Sequence, residues 1–297
     1  MTLLPPPAKD QAYVDVSALR AGMIEIPLEW VIDTAQPGER LNLPALSFLL
    51  RHSKTGDTFV FDLGIRKDWQ NIGPGAAERM KQMQFRIDVP QDVVESLAAG
   101  GLSAHDIKHV CLSHLHLDHI GDPALFRTST FVVGAGSREV LAHGYPQNPR
   151  AVVPADLLPL DRTRFLDLAA APPLGPFAHA LDFYGDGAVY VVDAGAGHVA
   201  GHVNLLARTS PDGAWVFLAA DSAHDRRLLL GEAKIPRHSL FGCAHVDPEE
   251  AAAHIARIRA LMEGEPRVQV IIAHDRPWLD ENDDKNVWFP GGKLPPL

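Results

Sequence analysis

Residues 113–122 read SHLHLDHIGD and place His114, His116, Asp118 and His119 in the pattern H-x-H-x-D-H. Imidazole and carboxylate groups at this density suit Zn²⁺ or iron. In extended backbone, residues i, i+2 and i+4 face the same side. His114, His116 and Asp118 are therefore expected to point one way off the end of a strand at 107–112, with His119 following as the chain turns at Gly121. Solvated loop histidines are the ordinary alternative, and four ligand-type groups in six residues weigh against it. Three more positions share a layout. The apolar run 216–220 ends at Asp221, the run 268–273 ends at His274, and the run 188–192 leads into Gly197-His198-Val199-Ala200-Gly201-His202. Functional groups in α/β folds collect beyond the carboxyl ends of strands, so these positions are expected to converge on the His-rich segment. Taken singly, Asp221 also reads as a turn or helix cap, His274 as a satisfied core-edge histidine and His202 as a loop residue.

The elements that must hold these groups are short. Runs 45–50 and 58–63 predict a hairpin, as do 181–184 with 188–192 and 203–208 with 214–220 around Pro211-Asp212-Gly213. Helices are expected near 76–84, over 90–99 before the glycines at 100 and 101, and near 137–143. A further helix runs from about 247 to 262, with Asp247 as N-cap, Pro248 in its first turn and Glu250 as capping-box acid. Strand pairs separated by single helices imply an α/β fold with mixed sheets. No linker forces a boundary, so residues 1–297 are expected to form one domain with a loose tail at 1–10.

Composition narrows the function classes. The chain has 297 residues, 46% hydrophobic and 22% charged, ordinary for a globular protein. Its net charge of −10, without Lys/Arg blocks, argues against nucleic acid as a partner. No apolar run reaches the ~20 residues of a spanning helix, and residues 1–10 lack a secretory layout, so no membrane partner is expected. Cys111 and Cys243 are too few for a disulfide framework and read as reduced, buried residues, with the cytoplasm as the expected compartment. The 15 histidines are the surplus that needs explaining.

From about residue 45 to 275 the chain resembles the metallo-β-lactamase superfamily. The H-x-H-x-D-H motif, the G-H-x-x-G-H segment ending at His202, Asp221, His274 and the early Asp62-Leu63-Gly64 turn follow the family's order. The resemblance implies a four-layer αβ/βα sandwich of two mixed sheets with helices outside. It implies two Zn²⁺ per chain, with iron, cobalt or manganese also compatible. His114, His116 and His202 would hold one metal, Asp118, His119 and His274 the second, and Asp221 would bridge them. His198, four residues before His202, is the competing ligand; the family motif favours the second histidine. Metals ~3.5–4 Å apart can share a hydroxide that attacks a carbonyl or phosphoryl centre.

Within that family the layout is similar to lactonases that open N-acyl-homoserine lactones. The position three residues after the bridging aspartate, Tyr in many of them, is His224 here, expected to bind a carbonyl or protonate a leaving alkoxide. Asp118, Asp221 and His224 are thus the residues expected to serve catalysis. A small-molecule lactone or ester is the expected partner, and dimerisation, common among such relatives, is left open. Trp30, Met23, Trp69, Met80, Met83 and Phe85 lie in segments that cover the site in those relatives, and each also reads as plain core. Alternatives are a thioesterase of the glyoxalase II type, an arylesterase or phosphotriesterase, and a non-catalytic metal-binding member.

Overall fold

The computed structural model describes residues 4–297. In chain order its strands are β1 Val14–Leu19, β2 Met23–Pro27, β3 Arg40–Pro44, β4 Ser47–His52, β5 Thr58–Phe61, β6 Arg86–Asp88, β7 His109–Cys111, β8 Thr130–Gly134, β9 Thr163–Leu166, β10 Ala180–Asp182, β11 Val189–Asp193, β12 Val203–Arg208, β13 Trp215–Ala220 and β14 Val268–Ile272. Its helices are α1 Pro74–Gln82, α2 Val93–Ala99, α3 Leu117–Ile120, α4 Ser137–Ala142, α5 Arg226–Leu230, α6 Pro248–Gly264 and α7 Arg276–Asn282. One sheet has the order β1-β4-β5-β7-β8-β9 and a second β10-β11-β12-β13-β14. Both are mixed: β5, β7, β8 and β9 pair in parallel, as do β13 and β14, and the remaining pairs are antiparallel. A third sheet, β3-β2-β6, stands apart from these two.

The period-2 side-chain pattern explains the layering. Val216, Leu218 and Ala220 of β13 share one core with Leu205, Phe59, Phe61 and Val132, which fills the space between the two large sheets. Their neighbours Phe217 and Ala219 belong to the other core with Ile255, Ile258 and Leu261 of α6. Strands covered on both faces have no solvent side, so β12 and β13 are buried at every residue. This is the sandwich of mixed sheets with outer helices that the sequence implied, and the three expected hairpins are β4–β5, β10–β11 and β12–β13. Among the described residues no helix is long and apolar enough to cross a membrane.

Three local expectations change. The N-terminal tail is tied down from Leu4, which is buried and donates its N–H to Glu265 Oε1 at 2.7 Å; Pro5 accepts from Arg208 Nη2, also at 2.7 Å. Residues 1–3 lie outside the described residues. The capping box on α6 is absent. Asp247 alone accepts from the N–H groups of Glu249 and Glu250, while the Glu250 carboxylate accepts from Ala196 N–H at 3.1 Å, bracing the loop before His198. The strand expected at 107–112 ends at Cys111, and residues 117–120 form one helical turn. Asp118 therefore sits on α3, not on a continuing extended face, while His119 lies where the chain turns, as expected.

Candidate metal centre

Each functional side chain leaves the scaffold at one edge. Asp221 follows β13 directly, and His274 follows β14 after one residue. His114 follows β7, His116 caps α3, and Asp62 follows β5 at φ 60°. Gly121 ends α3 at φ 46°, and a Cβ there would lie 2.6 Å from Leu63, so glycine is required for α3 to close onto the Asp62 turn.

The ligand-type atoms form two groups that share one carboxylate. His114, His116, His198 and Asp221 place one atom each within 4.8 Å of one another, and so do Asp118, His119, His274 and Asp221. His198 Nε2 is 3.2 Å from His114 Nε2 and 3.1 Å from His116 Nδ1. Asp221 divides its oxygens between the groups. Oδ1 is 3.1 Å from His119 Nε2 and 3.4 Å from His274 Nε2, while Oδ2 is 3.4 Å from His198 Nε2 and 3.7 Å from His114 Nε2.

The outer nitrogens are fixed by the protein. His119 Nδ1 donates to Asp62 Oδ2 and His274 Nδ1 to the Pro44 carbonyl, both at 2.8 Å. His114 Nδ1 donates to Ser113 Oγ at 3.0 Å, and Ser113 Oγ donates on to Asp62 Oδ2 at 2.8 Å. Each ring then turns an Nε2 lone pair inward. His119 Nε2 and Asp221 Oδ1 are both buried without a hydrogen bond. Lone pairs converging in a buried space need a cation between them, and this donor set of imidazole and carboxylate fits a borderline divalent metal.

Without a metal, protons take that part. Burial opposes the charged form of His119, but Asp221, Asp62 and Asp118 hold it well above the usual histidine range. Burial likewise opposes His274, and Asp221 with the hydrogen bond to Asp118 raises it to about 10. His114 and His198, crowded by other histidines, are pushed well below that range chiefly by burial. Metal loading at pH 7 should therefore displace about two protons, from His119 and His274. Titration calorimetry in buffers of different ionisation enthalpy measures this, and affinity should rise with pH from 7 toward 10. Zero protons released at pH 7 would contradict the arrangement.

The profile described as "Metallo-beta-lactamase superfamily" matches residues 41–274. The chain belongs to this superfamily. Among curated relatives, gamma-lactamase FDB1 of Fusarium pseudograminearum is 34% identical over 239 residues, covering 74% of this chain and 56% of that protein. Metallo-hydrolase mfmC of Annulohypoxylon moriforme is 34% identical over 254 residues, covering 82% of this chain and 66% of that protein. The chain thus spans less than two thirds of these relatives. A solved N-acyl homoserine lactone hydrolase, with the product N-hexanoyl-L-homoserine at its catalytic metal centre, has TM-score 0.68 at 20% identity over 90% of this chain and 95% of that one. That likeness concerns the fold.

The structure brings together six of the seven expected ligands and exchanges one. His202 lies outside both groups, at the start of β12, its ring 5.2 Å from that of His114 and 5.4 Å from that of His198. The cause is the pinched loop between the two histidines. A Cβ on Gly197 would lie 2.5 Å from the backbone of Ala251, and one on Gly201 2.5 Å from that of Ser137. Held between α6 and α4, the loop turns His198 inward. Four-residue spacing alone does not reveal this.

A cavity of about 260 Å³ opens over the metal groups. Ile24, Ile26 and Leu43 of the small sheet wall it, with Trp30, Met80, Met83 and Phe85. Met23 instead lines a second cavity beside Trp288, and Trp69 packs against the core. Cys243, expected to be buried, is half-exposed on the cavity wall, whereas Cys111 is in the inner core. His224 lines the cavity with Nε2 3.2 Å from Asp221 Oδ2. His245 was not foreseen; its ring lies 4.9 Å from that of His224, and no motif in its surroundings marks it.

Proposed function

We propose that this chain, acting as one domain, is a dinuclear zinc hydrolase that opens a five-membered lactone ring, with N-acyl homoserine lactone as the leading substrate. The observation that carries the reading is the pair of ligand groups sharing Asp221 beneath an apolar cavity. His114, His116, His198 and Asp221 would hold one ion, and Asp118, His119, His274 and Asp221 the other; iron, cobalt or manganese would suit the same donors. Two such ions supply Lewis acidity toward a carbonyl and a water made nucleophilic at neutral pH.

The remaining work falls to side chains. The apolar walls take an acyl chain and exclude water from the ring. His224 Nδ1 is buried without a partner. His224 would keep Nε2 on Asp221 and give a proton from Nδ1 to the ring oxygen as the C–O bond breaks. The adding water returns that proton. His224→Ala should keep both ions and lower kcat about 10²-fold. Full kcat with intact metal content would remove the role.

A second reading is supported by the gamma-lactamase relative: hydrolysis of a γ-lactam, whose nitrogen leaving group needs the same proton. Metal-loaded protein assayed on homoserine lactones, γ-lactams, thioesters, aryl esters and phosphotriesters separates these. Highest kcat/KM on a homoserine lactone is expected. A γ-lactam ahead of every lactone would replace the substrate. Two bound ions with no turnover of any compound would make the chain a non-catalytic binder.

A further inference from the structure

Beyond the two groups lies a third convergence of ligand atoms. One ring nitrogen each of His198, His224 and His245 falls within 4.8 Å of the others. The ring centres form a near-equilateral triangle, 5.0 Å from His198 to His224, 5.2 Å from His198 to His245 and 4.9 Å from His224 to His245. All three side chains are more than nine-tenths buried. His198 Nδ1, His224 Nδ1 and both nitrogens of His245 make no hydrogen bond. Buried polar atoms without partners are uncommon in folded proteins, and four on three facing rings call for a ligand.

The backbone holds this triangle. Val246 N–H donates to the His198 carbonyl at 3.2 Å and Asp247 N–H to the Gly197 carbonyl at 2.9 Å. These bonds hook the loop carrying His245 over the loop carrying His198. All three residues line the same cavity as His116, Asp118, Asp221 and His274, so an ion held by the triangle would share that space with the substrate.

We propose that His198, His224 and His245 form a third site, called the outer site, for a borderline divalent ion in the wall of the substrate cavity, which that ion occludes. Three imidazoles without a carboxylate suit zinc or nickel and not magnesium or calcium. The outer ion is the weaker one for two reasons. It has no carboxylate ligand of its own, and His198, which offers Nε2 to the inner group, reaches it only through Nδ1 with loss of the proton there. It is also inhibitory. It takes the His224 nitrogen assigned above to proton transfer, and to that extent the inhibition rests on the proposed function.

The test counts ions on the full chain dialysed against increasing free zinc, using elemental analysis. Wild type should reach a plateau and then gain one further ion at about tenfold higher free zinc or above. Magnesium should give no such step. His245→Ala and His245→Gln, each checked for native circular dichroism, should keep the plateau and lose the step. A wild type with no step overturns the site, and so does a step that persists in either folded variant. The height of the plateau tests the two-metal reading separately. A plateau below two ions would sink that reading, whereas the outer site is judged only by the step and its dependence on His245.

Discussion

His198→Ala should lose one bound metal ion and at least 10³-fold in kcat/KM, about 4 kcal/mol of transition-state stabilisation. His202→Ala should keep its full metal content. The two residues are four positions apart in one loop, and both are buried histidines. They differ in what their nitrogens face. His198 Nε2 stands 3.1–3.4 Å from His116, His114 and Asp221, inside a ligand group. His202 Nε2 is buried without a hydrogen bond and belongs to neither group. Removing the His202 ring leaves a cavity behind His114 and His198, which should cost about 2 kcal/mol of stability and a few degrees of Tm. Elemental analysis with thermal melting of the two variants decides the matter. Metal loss confined to His202→Ala would restore the sequence-based assignment and refute the geometric one.

What was legible in the sequence was chemistry placed at the ends of strands. Asp62, Asp221 and His274 follow apolar runs that become β5, β13 and β14. In these three runs the first charged or imidazole side chain after the apolar residues marks the sheet edge. Two kinds of information stayed hidden. One was the path of irregular backbone. Whether His198 or His202 turns inward depends on how Gly197 and Gly201 approach α6 and α4, contacts made with residues far along the chain. The one-turn helix α3 is similar: its four residues are too few for a periodic signal.

The other was the small sheet over the site. β2 pairs with β6 across some sixty residues of intervening chain, Ile24 facing Ile87. Each strand is short, and β6 is mostly exposed and charged, with Arg86 reaching Glu25 at 3.0 Å. Its apolar side, Ile24 and Ile26, has meaning only once the cavity beneath exists. The apolar wall of the cavity therefore comes from the least legible part of the fold, while most of the ligand-type side chains come from the most legible. Loops on a rigid scaffold commonly divide the labour this way.

Asp221→Asn should be more damaging than loss of any single histidine. Asp221 is the one side chain common to both inner groups, with Oδ1 directed at His119 and His274 and Oδ2 at His198 and His114. Asparagine keeps the shape and one oxygen but offers an N–H₂ donor, not a lone pair, to the other group. It also removes a negative charge from a buried space rich in imidazole. Aspartate is ionised there at any working pH. Burial opposes its charged form, but His119, His274 and His224 hold its carboxyl well below the usual carboxylate range. By the sign of that shift, its contribution to the metal-free fold is present above about pH 4 and disappears as pH falls through the lowered value. The expected result for Asp221→Asn is at most one ion per chain and kcat/KM reduced more than 10³-fold. In the same variant, His119 and His274 lose the foremost of the anions that keep them protonated, so residual metal binding at pH 7 should release fewer protons than in wild type. Asp221→Glu, which keeps the charge and lengthens the arm, should retain more metal than Asp221→Asn. Two ions bound tightly by Asp221→Asn, with wild-type turnover, would show that the groups do not depend on a shared carboxylate.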